Sequence, residues 1–217
     1  MTVAAAPVIY VVDDDASVRK SLTRVIGSAG YAVEAFASAR EFLARDASPG
    51  PGCLIVDVRM PGLSGLELQD ALAAGARHRM PIIFITGHGD VPMSVQAMKG
   101  GAVDFLTKPF DVENLLEAVQ RAVAKDVHEL GTEQEIAEVL ARVATLTPRE
   151  MEVFALVVTG RLNKQIGGEL GIGEKTVKVH RARVMDKMRA SSVAELVRLA
   201  DRAGVIVPTQ RDRTKVQ

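Results

Sequence analysis

The sequence predicts an α/β protein: a five-stranded, doubly wound parallel sheet of flavodoxin-like topology, followed by a smaller all-α domain of four helices. Three observations lead there. Over the first 125 residues, short β-branched runs alternate five times with helix-period segments, the pattern of a parallel sheet covered on both faces. After that the strand signal stops, and short amphipathic segments punctuated by glycine take over. Charge divides along the same line. The 217-residue chain is neutral overall, yet residues 1–125 carry −2, residues 126–145 carry −4 and residues 146–217 carry +6.

Val8–Val12 is the first strand and stops at Asp13-Asp14-Asp15. From Ser17 the period turns helical, with Val18, Leu22, Val25 and Ile26 on one face, and Gly27 and Gly30 punctuate it. Tyr31–Phe36 reads as the second strand and Ala39–Ala47 as the second helix. Ser48-Pro49-Gly50-Pro51-Gly52 is a loop. Cys53–Val58 is the third strand, and Leu63–Ala74 a helix after a Pro-Gly turn. Ile82–Thr86, Met93–Lys99, Val103–Leu106 and Val112–Lys125 complete the alternation. Right-handed crossovers leave few topologies, and strand order 2-1-3-4-5 is the common one at this length.

Several function classes are excluded early. No apolar stretch reaches the ~18–20 residues a membrane span needs. The segment Met1-Thr2-Val3-Ala4-Ala5-Ala6-Pro7 has neither a basic start nor a long apolar core, so a cytoplasmic protein is expected. The single cysteine, Cys53, lies inside a strand and reads as a buried thiol rather than a redox site. Histidines at 78, 88, 128 and 180 show no zinc spacing.

In such a sheet the carboxyl ends of the strands share one edge, where these folds keep their chemistry. Asp13 and Asp14 follow the first strand, Asp57 ends the third, Thr86 the fourth, and Lys108 follows the fifth. Converging carboxylates repel unless a hard divalent cation binds among them, and oxygen ligands with room for water suit Mg²⁺. A hydroxyl and an ammonium opposite suit phosphoryl oxygens. The set reads as phosphoryl transfer to a carboxylate, with Asp57 as nucleophile. Each piece alone has a plainer reading: Asp13–Asp15 as a helix cap, Thr86 as a strand-end hydroxyl, Lys108 as a solvated loop lysine.

These residues resemble a bacterial response-regulator receiver domain. The matching motifs are Val12-Asp13-Asp14-Asp15, Asp57 with Met60-Pro61-Gly62-Leu63-Ser64-Gly65, Ile85-Thr86-Gly87, and Phe105-Leu106-Thr107-Lys108-Pro109-Phe110. The resemblance covers residues 6–125. It implies that Asp57 accepts phosphate from a sensor histidine kinase. It implies Mg²⁺ on Asp14, Asp57 and the Arg59 carbonyl, with Asp13 acting mainly through water. It implies Lys108 paired to the phosphoryl group, a cis Lys108-Pro109 bond, and Thr86 with Phe105 as the switch pair. Phe105 lacks the hydroxyl of the commoner tyrosine, so its inward state rests on packing. Arg59 and His88 fall where side chains shield the acyl phosphate.

A connector follows. Apolar positions Val112, Leu115, Leu116, Val119 and Val123 fray toward Gly131. A second amphipathic stretch, with Ile136, Val139, Leu140 and Val143, is acidic through Glu133, Glu135 and Glu138. The expectation is helix, break at Gly131, helix.

The basic back half opens at Leu146-Thr147-Pro148-Arg149-Glu150, where Thr147 caps, Pro148 fits the first turn and Glu150 completes a capping box. Helices follow at Asn163–Leu170, Gly173–Met188 and Ser191/Ser192–Ala203. Two short helices joined by a glycine-containing turn form a helix-turn-helix. At about 100° per residue, Val177, Val184 and Met188 share a core face. Lys175, Lys178, Val179 and Ala182 lie opposite, flanked by Arg183 and Lys187. A basic outer face on the second helix points to the DNA major groove. A merely solvated face is the plainer reading.

Residues 143–204 resemble the LuxR-type helix-turn-helix of the NarL/FixJ class, through Asn163-Lys164-Gln165-Ile166, Leu170-Gly171-Ile172 and Lys175-Thr176-Val177-Lys178-Val179-His180-Arg181. The resemblance implies that Lys178, Val179 and Ala182 face base edges, while Lys175, Thr176 and other basic residues bind phosphates. Gly167-Gly168 and Gly173 suggest a less rigid unit. The domains expected are 1–125 receiver, 126–142 helical linker, 143–207 DNA-binding and 208–217 disordered tail. The function expected is a two-component transcriptional regulator, an activator rather than a repressor, and not an enzyme. Phosphorylation at Asp57 is expected to free or pair receivers through the Val91–Leu106 face and to favour a homodimer on double-stranded promoter DNA, with RNA polymerase as a further candidate partner. Two alternatives are a constitutive dimer scaffold and an aspartyl-phosphate hydrolase. The latter needs a second Asp where Arg59 stands. A flavin module is weaker, because no aromatic-rich loops flank the strand ends.

Overall fold

A computed structural model describes residues 6–46, 50–75, 80–87 and 91–205. The chain divides into two units, residues 1–131 and 132–217. In the first, strands β1 (Val8–Val12), β2 (Ala32–Phe36), β3 (Gly52–Asp57), β4 (Ile82–Thr86) and β5 (Asp104–Thr107) alternate with helices α1 (Ala16–Ser28), α2 (Ala39–Leu43), α3 (Gly65–Gly75), α4 (Val91–Lys99) and α5 (Val112–Val143). All neighbouring strands are parallel, in the order β2-β1-β3-β4-β5, as the crossover argument expects.

Strand alternation sorts the core into two layers. Tyr10, Val12, Leu54, Val56 and Phe84 face one way and pack with Phe42 of α2, Leu68 of α3 and Ala97 of α4. Ile9, Val11, Ile55, Ile83 and Ile85 face the other way, onto Leu22 and Ile26 of α1 and Leu115, Ala118 and Val119 of α5. Strands β3 and β4 are buried along their whole length, which is why they read as unbroken apolar runs. Cys53 is buried among them. Burial first, and the nearby Asp126 carboxylate second, push its thiol up to about 12, so it is an inert core residue.

The second unit holds the end of α5 and helices α6 (Pro148–Val158), α7 (Asn163–Leu170), α8 (Glu174–Met188) and α9 (Val193–Arg202). The Thr147/Glu150 capping box forms at α6 as expected. Val153, Phe154, Val157, Ile166, Val177, Val184, Met188 and Leu196 make one core. Among the described residues no helix is long and apolar enough to cross a membrane.

The expected break at Gly131 is absent: α5 runs continuously from Val112 to Val143. One glycine costs a helix only about 1 kcal/mol relative to alanine. Good helix formers and the i,i+4 pairs Lys125–Glu129 and Glu138–Arg142 surround it. Val139, placed in the linker by its sequence position, is buried in the core of the helical unit. The helix expected to reach Ala47 ends at Leu43. Ala47, most of the loop before Gly50, His78, His88 and the tail at 208–217 lie outside the described residues.

The pair Gly167-Gly168 also departs from expectation. A Cβ at Gly167 would meet the Ile172 carbonyl oxygen at 2.7 Å, whereas Gly168 faces open space. The first glycine permits close packing of the turn against α7, so it tightens the unit rather than loosening it. Replacing Gly168 by Ala should therefore stabilise the helical unit by about 0.5–1 kcal/mol. Replacing Gly167 by Ala should cost about 1–3 kcal/mol. Urea unfolding of the two variants, compared by midpoint, checks both signs.

Candidate functional site

The register of the sheet assembles the site. Asp57 is paired with Ile85 across β3–β4, and Thr86 with Thr107 across β4–β5. The Lys108 N–H donates to the Thr86 carbonyl at 2.7 Å, which sets the lysine one residue beyond β5 and beside both neighbouring strand ends. The Lys108-Pro109 bond is cis. After Asp57 the chain turns sharply. A Cβ at Gly65 would lie 2.4 Å from the Asp57 carbonyl oxygen, so glycine is required where α3 begins against the strand end.

Lys108 Nζ donates to Asp13 Oδ2 at 2.7 Å and to Asp57 Oδ2 at 3.3 Å. Asp13 is fully buried, Asp57 nearly so, and Asp14 is exposed. Burial raises the Asp57 carboxyl above its usual range. Lys108 works against that rise, and the Asp13 carboxylate adds to it. Burial also works against the Lys108 charge, but its bond to Asp13 and the nearness of both carboxylates outweigh it and lift the ammonium above its ordinary value. One oxygen from each of Asp13, Asp14 and Asp57 lies within 4.8 Å of the others. Three hard oxygen donors with one solvent-facing member suit a partly hydrated divalent cation. The excess of negative charge over the single Lys108 gives that cation something to neutralise.

The helix-cap reading of the acidic triplet holds for one member. Asp15 caps α1, accepting from the Ser17 and Val18 N–H groups, while Asp13 and Asp14 turn to the site. Arg59 contributes its N–H to Asp57 Oδ1 at 3.4 Å, and its side chain is exposed. Thr86 is buried at the end of β4. Phe105 is half-buried on β5 and in register with Phe84, their rings 6.3 Å apart. Alternation puts Thr86, Phe84 and Phe105 on the same sheet face. The two switch candidates thus share a layer with α4.

One contributor was not read from the sequence. Arg19 Nη1, on α1, donates to the carbonyls of Asp13 at 2.7 Å and Asp14 at 3.0 Å. The available signal was a lone arginine one turn inside the helix that follows the acidic loop.

In the helical unit, Lys175, Thr176, Lys178, Val179, Ala182 and Arg183 are all exposed on α8, while Val177, Val184 and Met188 are fully buried. Lys178 makes an exposed pair with Glu174 at 3.5 Å. Lys187 has partners within the helical unit. Its ammonium bonds the buried Glu150 at 2.6 Å and the Thr145 carbonyl at 2.9 Å. It gives the buried Glu150 carboxylate the partner it requires, while the Lys187 side chain itself stays 32% exposed. Arg181 likewise bonds Asn163 Oδ1 at 2.8 Å, tying α8 to α7.

Comparison with known proteins agrees with this layout. Residues 9–120 match the family described as response regulator receiver domain, and residues 144–200 match the bacterial regulatory proteins of the luxR family. The chain is 50% identical to nodulation protein W of Bradyrhizobium diazoefficiens over 91% of this chain and 87% of that one. It is 47% identical to the transcriptional regulatory protein FixJ of the same organism, over 91% and 96%. The solved structure of the response regulator StyR superposes with a TM-score of 0.82 at 45% identity, covering 91% of this chain and 99% of that one.

Two outcomes follow from the charges. Folding disfavours ionised Asp57: the stability its protonated form supports is present below the ordinary carboxylate range and lost as pH rises through the raised folded value. At neutral pH, Asp57→Asn should therefore raise the thermal midpoint of the first unit, measured without added metal. A midpoint at or below wild type contradicts this. Glu150 has the opposite sign. The Lys187 ammonium first, and the Thr147 N–H second, hold it at about 2, below its ordinary 4.5. Its contribution is complete above pH 4.5 and lost as pH falls toward 2. Glu150→Gln should flatten the acid dependence of helical-unit unfolding across that window, followed by circular dichroism.

Proposed function

The chain belongs to the response regulators that join a receiver domain to a LuxR-type DNA-binding domain, and from that premise we propose that Asp57 is its phosphate acceptor. The protein is a phosphorylation-dependent transcriptional regulator of a two-component system, with a histidine kinase and DNA as partners, and not an enzyme. The observation that carries the assignment is Lys108 bridging Asp13 and Asp57 at 2.7 and 3.3 Å beside exposed Asp14.

An Asp57 carboxylate oxygen attacks the phosphorus of a phosphohistidine. The new P–O bond forms as the P–N bond breaks, and the leaving imidazole takes its proton from solvent. Lys108 meets the charge that develops on the phosphoryl oxygens. Mg²⁺, held by Asp14, Asp57 and the Arg59 carbonyl with Asp13 acting through water, supplies further neutralisation of those oxygens when bound. Thr86 then turns to the phosphoryl group, and the Phe105 ring fills the space it leaves. Val91, Val95 and Met98 of α4 are exposed apolar side chains, and they support pairing of phosphorylated receivers into a homodimer through the Val91–Leu106 face.

On DNA, Lys178, Val179 and Ala182 face base edges. Lys175, Thr176 and Arg183 neutralise phosphates. Ala182 offers only a methyl contact, suited to thymine. The receiver's domain limits are 1–125, and residues 143–207 carry the DNA-binding function, extended at its start by the Val139 turn of α5. The setting is the cytoplasm, and RNA polymerase is the further partner through which activation acts.

A small phosphodonor with Mg²⁺ should add one phosphoryl group to the wild type by intact mass and none to Asp57→Asn. On duplexes enriched from a random pool by the phosphorylated protein, Asp57→Asn should not reach phosphorylated wild-type affinity. If it binds as tightly, the constitutive scaffold reading replaces this one. Lys178→Ala should lose about 1–3 kcal/mol on those duplexes.

A further inference from the structure

Arg19 lies outside every role assigned above, yet it touches the backbone of both acidic residues that follow β1. Its Nη1 donates to the Asp13 carbonyl at 2.7 Å and to the Asp14 carbonyl at 3.0 Å. These carbonyls precede the Asp15 cap, so the ladder of α1 does not serve them. We infer that Arg19 is a positioning residue for the divalent cation, acting by fixing the peptide planes that aim Asp13 and Asp14. This inference rests on the metal reading of the acidic cluster.

The peptide between Asp14 and Asp15 is held at both ends. Its N–H, from Asp15, donates to Asp13 Oδ1 at 2.9 Å, and its carbonyl accepts from Arg19. The peptide between Asp13 and Asp14 is held through its carbonyl by the same Nη1. Rotation of either plane would re-aim the Cα–Cβ bond of Asp14, the exposed member of the acidic cluster. It would also turn a backbone carbonyl, itself a hard oxygen donor, toward the cation. Arg19 draws both carbonyls to its own side and leaves the carboxylates as the donors. The guanidinium engages carbonyls rather than carboxylates. It therefore offsets repulsion within the cluster without occupying the oxygens that a metal needs. Asp13 completes the frame, since its other oxygen is bound by Lys108 at 2.7 Å.

Groups that orient metal ligands typically change affinity about 10–100-fold when removed. Mg²⁺ binding to the full-length protein, measured by calorimetry with no phosphodonor and no kinase, should weaken about 10-fold or more in Arg19→Ala. Arg19→Lys keeps the charge but stops one atom short, and it should fall between wild type and Arg19→Ala. It also carries the test if the alanine variant does not fold. Ile26→Val, a core change on the same helix away from the loop, lowers stability without touching the carbonyls and should leave Mg²⁺ affinity unchanged. Affinity within twofold of wild type in the folded Arg19 variants overturns the inference, as does an equal loss in Ile26→Val. A wild type that binds no Mg²⁺ overturns the metal reading itself, a distinguishable result.

Discussion

The arrangement depends on one electrostatic constraint: carboxylates from two strands, one fully buried and one nearly so, meet a single ammonium. Burying two carboxylates side by side is costly without a positive neighbour, and Lys108 reaches both. The balance is incomplete, since Asp57 remains harder to ionise than an ordinary carboxyl. The backbone around these charges is fixed by the sheet, by the Gly65 turn and by the Lys108–Thr86 backbone bond.

The same logic recurs in the helical unit with a different purpose. Glu150 is buried, closes the capping box of α6, and is neutralised by Lys187 of α8. This pair joins the helix that opens the domain to the one that presents Lys178 and Val179. A lysine that looks like part of a basic outer stripe is thereby also the partner of a buried carboxylate, though its side chain stays 32% exposed. Arg181 does similar work between α7 and α8. Lys175, Lys178, Arg183 and Arg189 are the exposed cations along and at the end of α8.

Helix α5 contributes to both cores, through Leu115, Ala118 and Val119 at one end and Val139 at the other. Asp126, nearly buried, accepts from the Gly52 N–H at 2.8 Å and ties the helix to the start of β3. Packing at both ends outweighs the cost of Gly131, and so the helix is continuous where local propensity suggested a break. Propensity is worth about 1 kcal/mol at such a position, less than the burial of a single large apolar side chain.

Much of the fold was legible because its signals are local and periodic. Period-two and period-3.6 patterns marked the strands and helices, β3 and β4 announced their double burial as unbroken apolar runs, and Thr147-Pro148-Arg149-Glu150 spelled its own cap. Strand-end placement then brought Asp13, Asp14, Asp57, Thr86 and Lys108 to one edge. The remainder required distances between residues far apart in the chain. Only the tertiary structure decided that Lys187 belongs to Glu150, that Gly167 is a packing requirement rather than a weakness, that α5 does not break, and that Arg19 holds the acidic loop. The physical reason is reach. Periodicity records which side of an element faces inward, but it does not record which partner a long charged side chain finds there.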